Sequence, residues 1–353
     1  SPPFDKSAMD GYAVPDSRAS GEYRILETIA AGSVPSRHLE PGSCMKIMTG
    51  AMIPEGTRQV VRVEYTGEDA GVMRVLSPEP YENIIRAGTN LNTGIEFLPA
   101  RRLAPRDIGT LASCGISRVM ARRPLRAGVF STGSELKEPG ELLLPGEIHN
   151  SNTHLLMALL EAAGAGAQNY GTLPDSRAVI EEAAAAALDE CDILFISGGV
   201  SAGEYDYVPA VLDTLGVETL FQGVRIKPGR PVLFGRTGDS GPDECRFVFG
   251  LPGNPVSAFV LFEVLIQPFL YHLNGARFRT PVLEGTLTSD IRRHDTQRLE
   301  FLPVKFSDDG LLQPVPYTGS AHISAMAEAD GLVSMEVGQE LIEAGVPVSV
   351  RLL

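Results

Sequence analysis

Between Leu125 and Gly275, short apolar runs alternate with helical segments, and this rhythm limits the middle of the chain to one fold class. Strands separated by helices are joined by crossovers and pair in parallel. Residues 125–130 read as an apolar strand. Ser151 or Asn152 can cap a helix carrying Leu155, Leu156, Leu159 and Leu160 that stops at Gly164. Asp175 or Ser176 can cap a second helix, through the alanine run 183–187; alanine is the best helix former and packs closely on a sheet. Residues 191–197 form a buried strand and 208–215 a short helix. Strands follow near 219–226 and 246–249, and a long helix runs from Pro255 to near Gly275. The expectation is an α/β domain with a largely parallel sheet.

In such a sheet ligands bind beyond the carboxyl ends of the strands, so the residues after each strand carry the information. Ser131-Thr132-Gly133-Ser134-Glu135 follows the first strand, Ser197-Gly198-Gly199-Val200-Ser201 the second, and Gly250-Leu251-Pro252-Gly253-Asn254-Pro255-Val256-Ser257 the last, leading into a helix N-terminus. Glycine-rich turns let backbone amides face an anion, and a helix N-terminus adds its dipole. Each loop alone reads equally as a tight connection; three on one sheet edge point to a binding site. Glu135, Asp175 and Asp206 fall just past strands. As caps they are ordinary; as hard oxygen donors beside a phosphate they suit Mg²⁺. Arg225, Lys227 and Arg230 lie in a segment stiffened by Pro228 and Pro231 and fit either a solvated edge or a site for a tetrahedral oxyanion or phosphate.

The flanks differ. Residues 43–48, 58–66 and 71–77 read as strands separated by the turn sequences Thr49-Gly50 and Pro54-Glu55-Gly56. A short helix then starts at Pro105 and stops at Gly115. After Gly275 helical periodicity gives way to strands at 282–288, 299–306 and 346–352, expected to form a small β-barrel or open β domain. The 353 residues are enough for roughly two to three domains. The boundaries expected are 1–92 (mainly β), 93–122 (linker), 123–274 (α/β) and 275–353 (β).

A formal net charge of −14 has the wrong sign for broad nucleic-acid binding. The longest apolar run, 258–266, is broken by Glu263 and closed by Pro268, short of the ~20 residues of a membrane helix. Cys44, Cys114, Cys191 and Cys245 are scattered and read as reduced core residues, which points to the cytoplasm. Neither a zinc-spaced His/Cys cluster, a P-loop nor a nucleophile elbow is visible.

The opening Pro2-Pro3-Phe4-Asp5-Lys6-Ser7-Ala8-Met9-Asp10-Gly11-Tyr12-Ala13-Val14 resembles the molybdopterin molybdenumtransferase family, the bacterial MoeA proteins and the gephyrin E domain. The similarity continues, in order, through Ile47-Met48-Thr49-Gly50-Ala51, Phe130-Ser131-Thr132-Gly133-Ser134-Glu135-Leu136, Ser197-Gly198-Gly199-Val200-Ser201 with Asp206-Tyr207, Ile226-Lys227-Pro228-Gly229-Arg230-Pro231 and Gly250-Leu251-Pro252-Gly253-Asn254-Pro255-Val256-Ser257. The resemblance implies a multidomain α/β protein: a central MogA-like parallel α/β domain flanked by a small β domain, a short linker domain and a C-terminal β-barrel-like domain. It further implies a segment ahead of Ser1 that adds helix to the linker.

The activity it implies is insertion of molybdate into adenylylated molybdopterin (adenylyl-molybdopterin), releasing AMP and forming molybdenum cofactor, with Mg²⁺ as cofactor. Tungstate is nearly the same size as molybdate. The resemblance also implies a homodimer, the molybdopterin adenylyltransferase and recipient molybdoenzymes as partners, and a site in a cleft between protomers. By the resemblance, Asp10, Thr49 and Glu135 are catalytic, and Gly198, Gly199, Ser201, Pro252, Gly253, Asn254 and Pro255 hold substrate. Lys227, Arg230 and Ser257, with Arg298 and Ser320 from the C-terminal domain, lie on the molybdate side; Asp175 and Asp206 hold the metal. Three positions depart from the family pattern. Gly88-Thr89-Asn90 stands where Gly-Glu-Asp is common, and Ser134 where an aspartate is common. Two rival readings follow: a catalytically weakened paralogue acting as a cofactor-binding carrier, and a scaffold protein.

Overall fold

The chain divides into two units, Ser1–Val119 and Met120–Leu353; the computed structural model describes residues 1–200, 206–238 and 245–353. The first unit is built on a six-stranded sheet: β1 (Gly11–Val14), β2 (Glu22–Ile29), β3 (Ser43–Ile47), β4 (Gln59–Arg62), β5 (Thr66–Asp69) and β6 (Val72–Val75), in the order β4-β1-β3-β2-β6-β5. Successive residues of a strand face opposite sides. Tyr12, Val14 and Cys44 therefore join one core and Ala13, Met45 and Ile47 the other. The strand expected at 58–66 is cut short: a 3₁₀ turn, Val63–Tyr65, separates β4 from β5. Helix α1 (Pro105–Ser113) starts with its proline in the first turn and is followed by Gly115 at φ +74°, as expected.

The second unit carries the expected α/β layers. Its elements are β7 (Arg126–Thr132), α2 (Asn152–Ala162), β8 (Gly166–Leu173), α3 (Arg177–Glu190), β9 (Ile193–Ser197), α4 (Val208–Thr214), β10 (Val217–Gln222), β11 (Ile226–Lys227), β12 (Leu233–Thr237), β13 (Phe247–Leu251) and the long helix α5 (Pro255–Leu273). Sheet order is β8-β7-β9-β13-β12-β10. β8, β7, β9 and β13 pair in parallel, but β12 runs antiparallel to both its neighbours, β13 and β10, so the sheet is mixed at one edge rather than parallel throughout. A sheet covered on both faces needs apolar residues at every position of its inner strands. In β9, Ile193 and Phe195 pack with Leu156, Leu160 and Leu261 on one side, and Leu194 and Ile196 with Ile180, Ala184 and Val211 on the other. Cutting Phe195 to alanine would cost about 3–5 kcal/mol.

Helix α5 holds a π-type segment, Phe262–Ile266, after which the Gln267 N–H donates to the Phe262 carbonyl; Pro268, one residue on, has no N–H to offer the ladder. Contrary to the expectation drawn from its apolar run alone, this helix is long and apolar enough to cross a membrane: 19 residues, mean hydropathy 1.6. Half of it is buried within the protein, and Leu261, Phe262, Ile266 and Leu270 belong to the sheet core.

The C-terminal strands are β14 (Val282–Thr286), β15 (Leu299–Phe306), β16 (Leu312–Pro314), β17 (Gly331–Met335) and β18 (Pro347–Leu352). They pair in the order β11-β15-β17-β18-β14, with β16 on β15. Among the described residues β14 does not pair with β11, but Leu287, the residue after it, bridges Leu312 of β16, and β16 pairs with β15, so β15, β17, β18, β14 and β16 follow one another round the domain. β11, expected as the end of a long α/β strand, instead pairs with β15. Cys44, Cys191 and Cys245 are buried free thiols, whereas Cys114 is exposed and not a core residue.

Candidate functional site

Register decides where the three glycine-rich loops emerge. Ile193 of β9 pairs with both Ala127 and Phe247, and Ser197 with both Ser131 and Leu251. The strand ends therefore stand abreast, and the loops that follow open side by side. Thr132 pairs with Leu173, which brings the loop carrying Asp175 alongside. Together these loops line a cleft of about 670 Å³. Glu135, Gly198, Gly199, Pro252, Gly253, Asn254, Pro255, Asp175 and Asp206, all read from the sequence, line it. Ser201 lies outside the described residues.

Glycine is required where two loops meet. Gly198 has φ +93°, and a Cβ there would stand 2.4 Å from the Thr132 carbonyl oxygen. Glu135 folds its carboxylate back over Gly133, where a Cβ would lie 2.8 Å from Oε2. Asp175 does not cap α3, whose N-cap is Ser176 and makes no side-chain cap hydrogen bond. Its Oδ2 instead accepts from the Ser134 amide at 3.1 Å and the Ser134 hydroxyl at 3.3 Å. Ser151, the N-cap of α2, likewise makes no side-chain cap bond.

Beneath the loops lies a hydrogen-bond network that sequence reading missed, although it gives Asn152 as a cap candidate and Ser131 as part of a loop motif. Buried Asn152 donates to Ser197 Oγ at 2.7 Å and to the Gly253 carbonyl at 2.8 Å, joining the loops after β9 and β13. Ser131, Asn150, Thr153 and Thr172 form a further buried chain of hydrogen bonds ending at Glu138. The Thr172 hydroxyl, and behind it His154, holds the Glu138 carboxyl below its ordinary range. Among the described residues, two buried polar atoms in the lining have no partner, Thr132 Oγ1 and Asn152 Oδ1. Buried polar groups are nearly always paired, so these two mark the floor as built for more than packing. No group of three His, Cys, Asp or Glu close enough to hold a metal occurs among the described residues; Asp175 and Asp206 share the cleft as a pair of oxygen donors.

Lys227, Arg230, Ser257, Arg298 and Ser320 do not line this cleft, although Pro231 and Ala321, neighbours of Arg230 and Ser320, do. Lys227 pairs with Glu300 across β11 and β15, its Nζ 2.9 Å from Glu300 Oε1. Arg298 is bound to Asp295 at 2.9 Å, and Arg225 donates to the Gln297 carbonyl at 3.0 Å. Ser257 is buried in the first turn of α5, and the Ser320 carbonyl accepts the Val256 N–H at 3.0 Å. Arg230 is exposed.

In the first unit, Asp10 and Thr49 touch. Asp10 Oδ1 accepts from the Thr49 amide at 2.6 Å and its hydroxyl at 2.8 Å, and these bonds, the amide's first, hold the carboxyl below its ordinary value. Gly11 is dictated by packing, since a Cβ would meet the Val61 carbonyl oxygen at 2.1 Å. Thr89 and Asn90 are exposed, in a turn closed by Thr89 Oγ1 on the Arg86 carbonyl.

Known proteins match this chain over nearly its whole length. Residues 1–115 match the MoeA N-terminal region (domain I and II), residues 128–272 a probable molybdopterin binding domain and residues 284–353 the MoeA C-terminal region (domain IV). The molybdopterin molybdenumtransferase of Haemophilus influenzae is 36% identical over 99% of this chain and 87% of its own length. That of Nostoc is 32% identical over 99% of this chain and 83% of its own. The crystal structure of the molybdopterin biosynthesis moeA protein from Pyrococcus horikoshii superposes with a TM-score of 0.83 at 29% identity, covering 100% of this chain and 88% of that one. The chain belongs to the molybdopterin molybdenumtransferase (MoeA) family and is an enzyme of that family.

Proposed function

We propose that the enzyme transfers molybdate into adenylylated molybdopterin with Mg²⁺-dependent release of AMP, forming molybdenum cofactor. The observation that carries this reading is the alignment of three glycine-rich strand ends and two aspartates around one cleft. Backbone amides of loops 133–135, 198–199 and 252–255 suit the phosphates of the nucleotide end. Asn152 holds two of these loops at a fixed distance, so the cradle is formed before substrate arrives.

Asp175 and Asp206 fit Mg²⁺ in kind, because that ion takes one or two carboxylates and completes its shell with water and substrate phosphate. When bound, it would offset charge on the pyrophosphate as AMP departs. Glu135 would orient water or hold a proton beside the phosphates. Lys227 and Arg230, with Ser257, Arg298 and Ser320, would hold molybdate by charge and hydrogen bonds, as suits a tetrahedral oxyanion. Asp10 and Thr49 would act from the first unit, in a homodimer. In this reading the domains are 1–92, 93–122, 123–274 and 275–353, and the reaction runs in the cytoplasm, to which the buried free thiols are suited.

A carrier reading has one observation in its favour: the Ser134 amide and hydroxyl engage an oxygen of Asp175, one of the two metal candidates. AMP release from purified adenylylated molybdopterin, with and without molybdate and Mg²⁺, separates the two. Release that needs both supports the insertase; tight binding without release supports the carrier.

A further inference from the structure

The C-terminal sheet holds a buried charge cluster that the sequence reading did not contain. The two oxygens of Glu300 are divided: Oε1 faces Lys227 Nζ at 2.9 Å, and Oε2 faces Arg293 Nη1 at 3.3 Å. The side chains of Glu300 and Arg293 are only 6% and 3% exposed, whereas that of Lys227 is 35% exposed. Arg293 is itself anchored, donating to the carbonyls of Gln339, Arg298 and Glu336.

A carboxylate buried against a cation meant for an anion would ordinarily cancel it. Here the three formal charges sum to +1. Arg293 offsets Glu300, and the charge of Lys227 is left over at the end of the cluster that reaches solvent. Lysine is a point charge on a flexible four-carbon stem, so a fixed oxygen 2.9 Å from its ammonium removes the freedom that an arriving oxyanion would otherwise have to freeze out.

We propose that Glu300, braced by Arg293, is a positioning residue that sets the Lys227 ammonium for capture of the molybdate dianion. This rests on the reading of Lys227 as a molybdate-side residue. The test is a cycle of Lys227→Met, Glu300→Gln and the double variant, assayed for AMP release. The quantities read are the sodium molybdate concentration for half-maximal rate and, separately, the KM for adenylylated molybdopterin.

Glu300→Gln is expected to raise half-saturating molybdate about tenfold while leaving the KM for adenylylated molybdopterin unchanged, and to add nothing in the Lys227→Met background. Factors that multiply in the double variant, an equal rise in both constants, or no rise would overturn the proposal. If Lys227→Met itself leaves the molybdate requirement unchanged, the underlying reading of Lys227 falls, and the proposal with it. If that variant shifts the requirement and Glu300→Gln does not, only the positioning role falls. Should Glu300→Gln not fold, Glu300→Asp keeps the charge but withdraws it by one methylene. The same non-additivity is expected of it, and multiplying factors would again overturn the proposal.

Discussion

Within the second unit, the acidic and basic residues assigned to chemistry are held in different ways. Asp175, Asp206 and Glu135 stand on loops beyond the sheet, half-buried or exposed, and rely on glycines at positive φ to bring those loops together. Lys227 and Glu300 lie in paired strands, and the cluster closes on Arg293, buried and tied to three carbonyls. The loop arrangement suits a ligand whose phosphates must be wrapped by backbone amides. The strand arrangement suits a small oxyanion that needs one cation at a fixed point. Substitutions on the acidic side should therefore disturb the nucleotide end of the substrate, and those on the basic side the molybdate requirement.

The most severe break is expected at Gly198. Alanine there puts a methyl 2.4 Å from the Thr132 carbonyl oxygen at φ +93°, and strain of this kind costs about 1–3 kcal/mol before the loops part. Calorimetry should show that loss, and AMP release should fall further than stability alone explains. Asp206→Asn comes next: it should lower Mg²⁺-dependent AMP release by roughly 100-fold with circular dichroism unchanged. Full activity in Asp206→Asn would remove the aspartate from the site.

A third substitution measures what a locked ion pair is worth away from the cleft. The Arg123 guanidinium, and with it the Arg126 amide, holds the buried Asp192 carboxyl at about 2 although burial pushes the other way. Its folded value lies below the unfolded one, so this stabilisation is complete above pH ~4 and fades as pH falls towards the folded value. Asp192→Asn should cost about 2–3 kcal/mol at neutral pH and flatten the acid limb of the stability profile between pH ~4 and ~2. An unchanged acid limb in urea titrations would mean the pair contributes little. The smallest effect belongs to Lys227→Ala, which should raise half-saturating molybdate about tenfold without moving the KM for adenylylated molybdopterin.

The loop-built side was legible in the sequence because its signals are local. A short apolar strand followed by glycine and a carboxylate can be read without knowing any partner, and the described members of that set all meet in one cleft. The strand-built side was not. Glu300 and Arg293 become neighbours of Lys227 only through the pairing of β11 with β15, and β11 has just two residues.

The strands that went unread have equally physical reasons. Gly166–Leu173 is polar along most of its length because it is an edge strand. Leu233–Thr237 is short and starts two residues after Pro231. Gly331–Met335 opens with a glycine that exists for packing, since a Cβ there would stand 2.3 Å from Val350 Cγ1. In the sequence Asp175 fits both a cap and a metal ligand, and an aspartate before a helix is usually the former. Here Ser134 has the better claim on its carboxylate.

A crystal soaked with AMP and Mg²⁺ tests the central claim most directly. The account predicts density for the phosphate against loops 133–135, 198–199 and 252–255, with the ion beside Asp175 or Asp206. A phosphate bound away from those strand ends would contradict it.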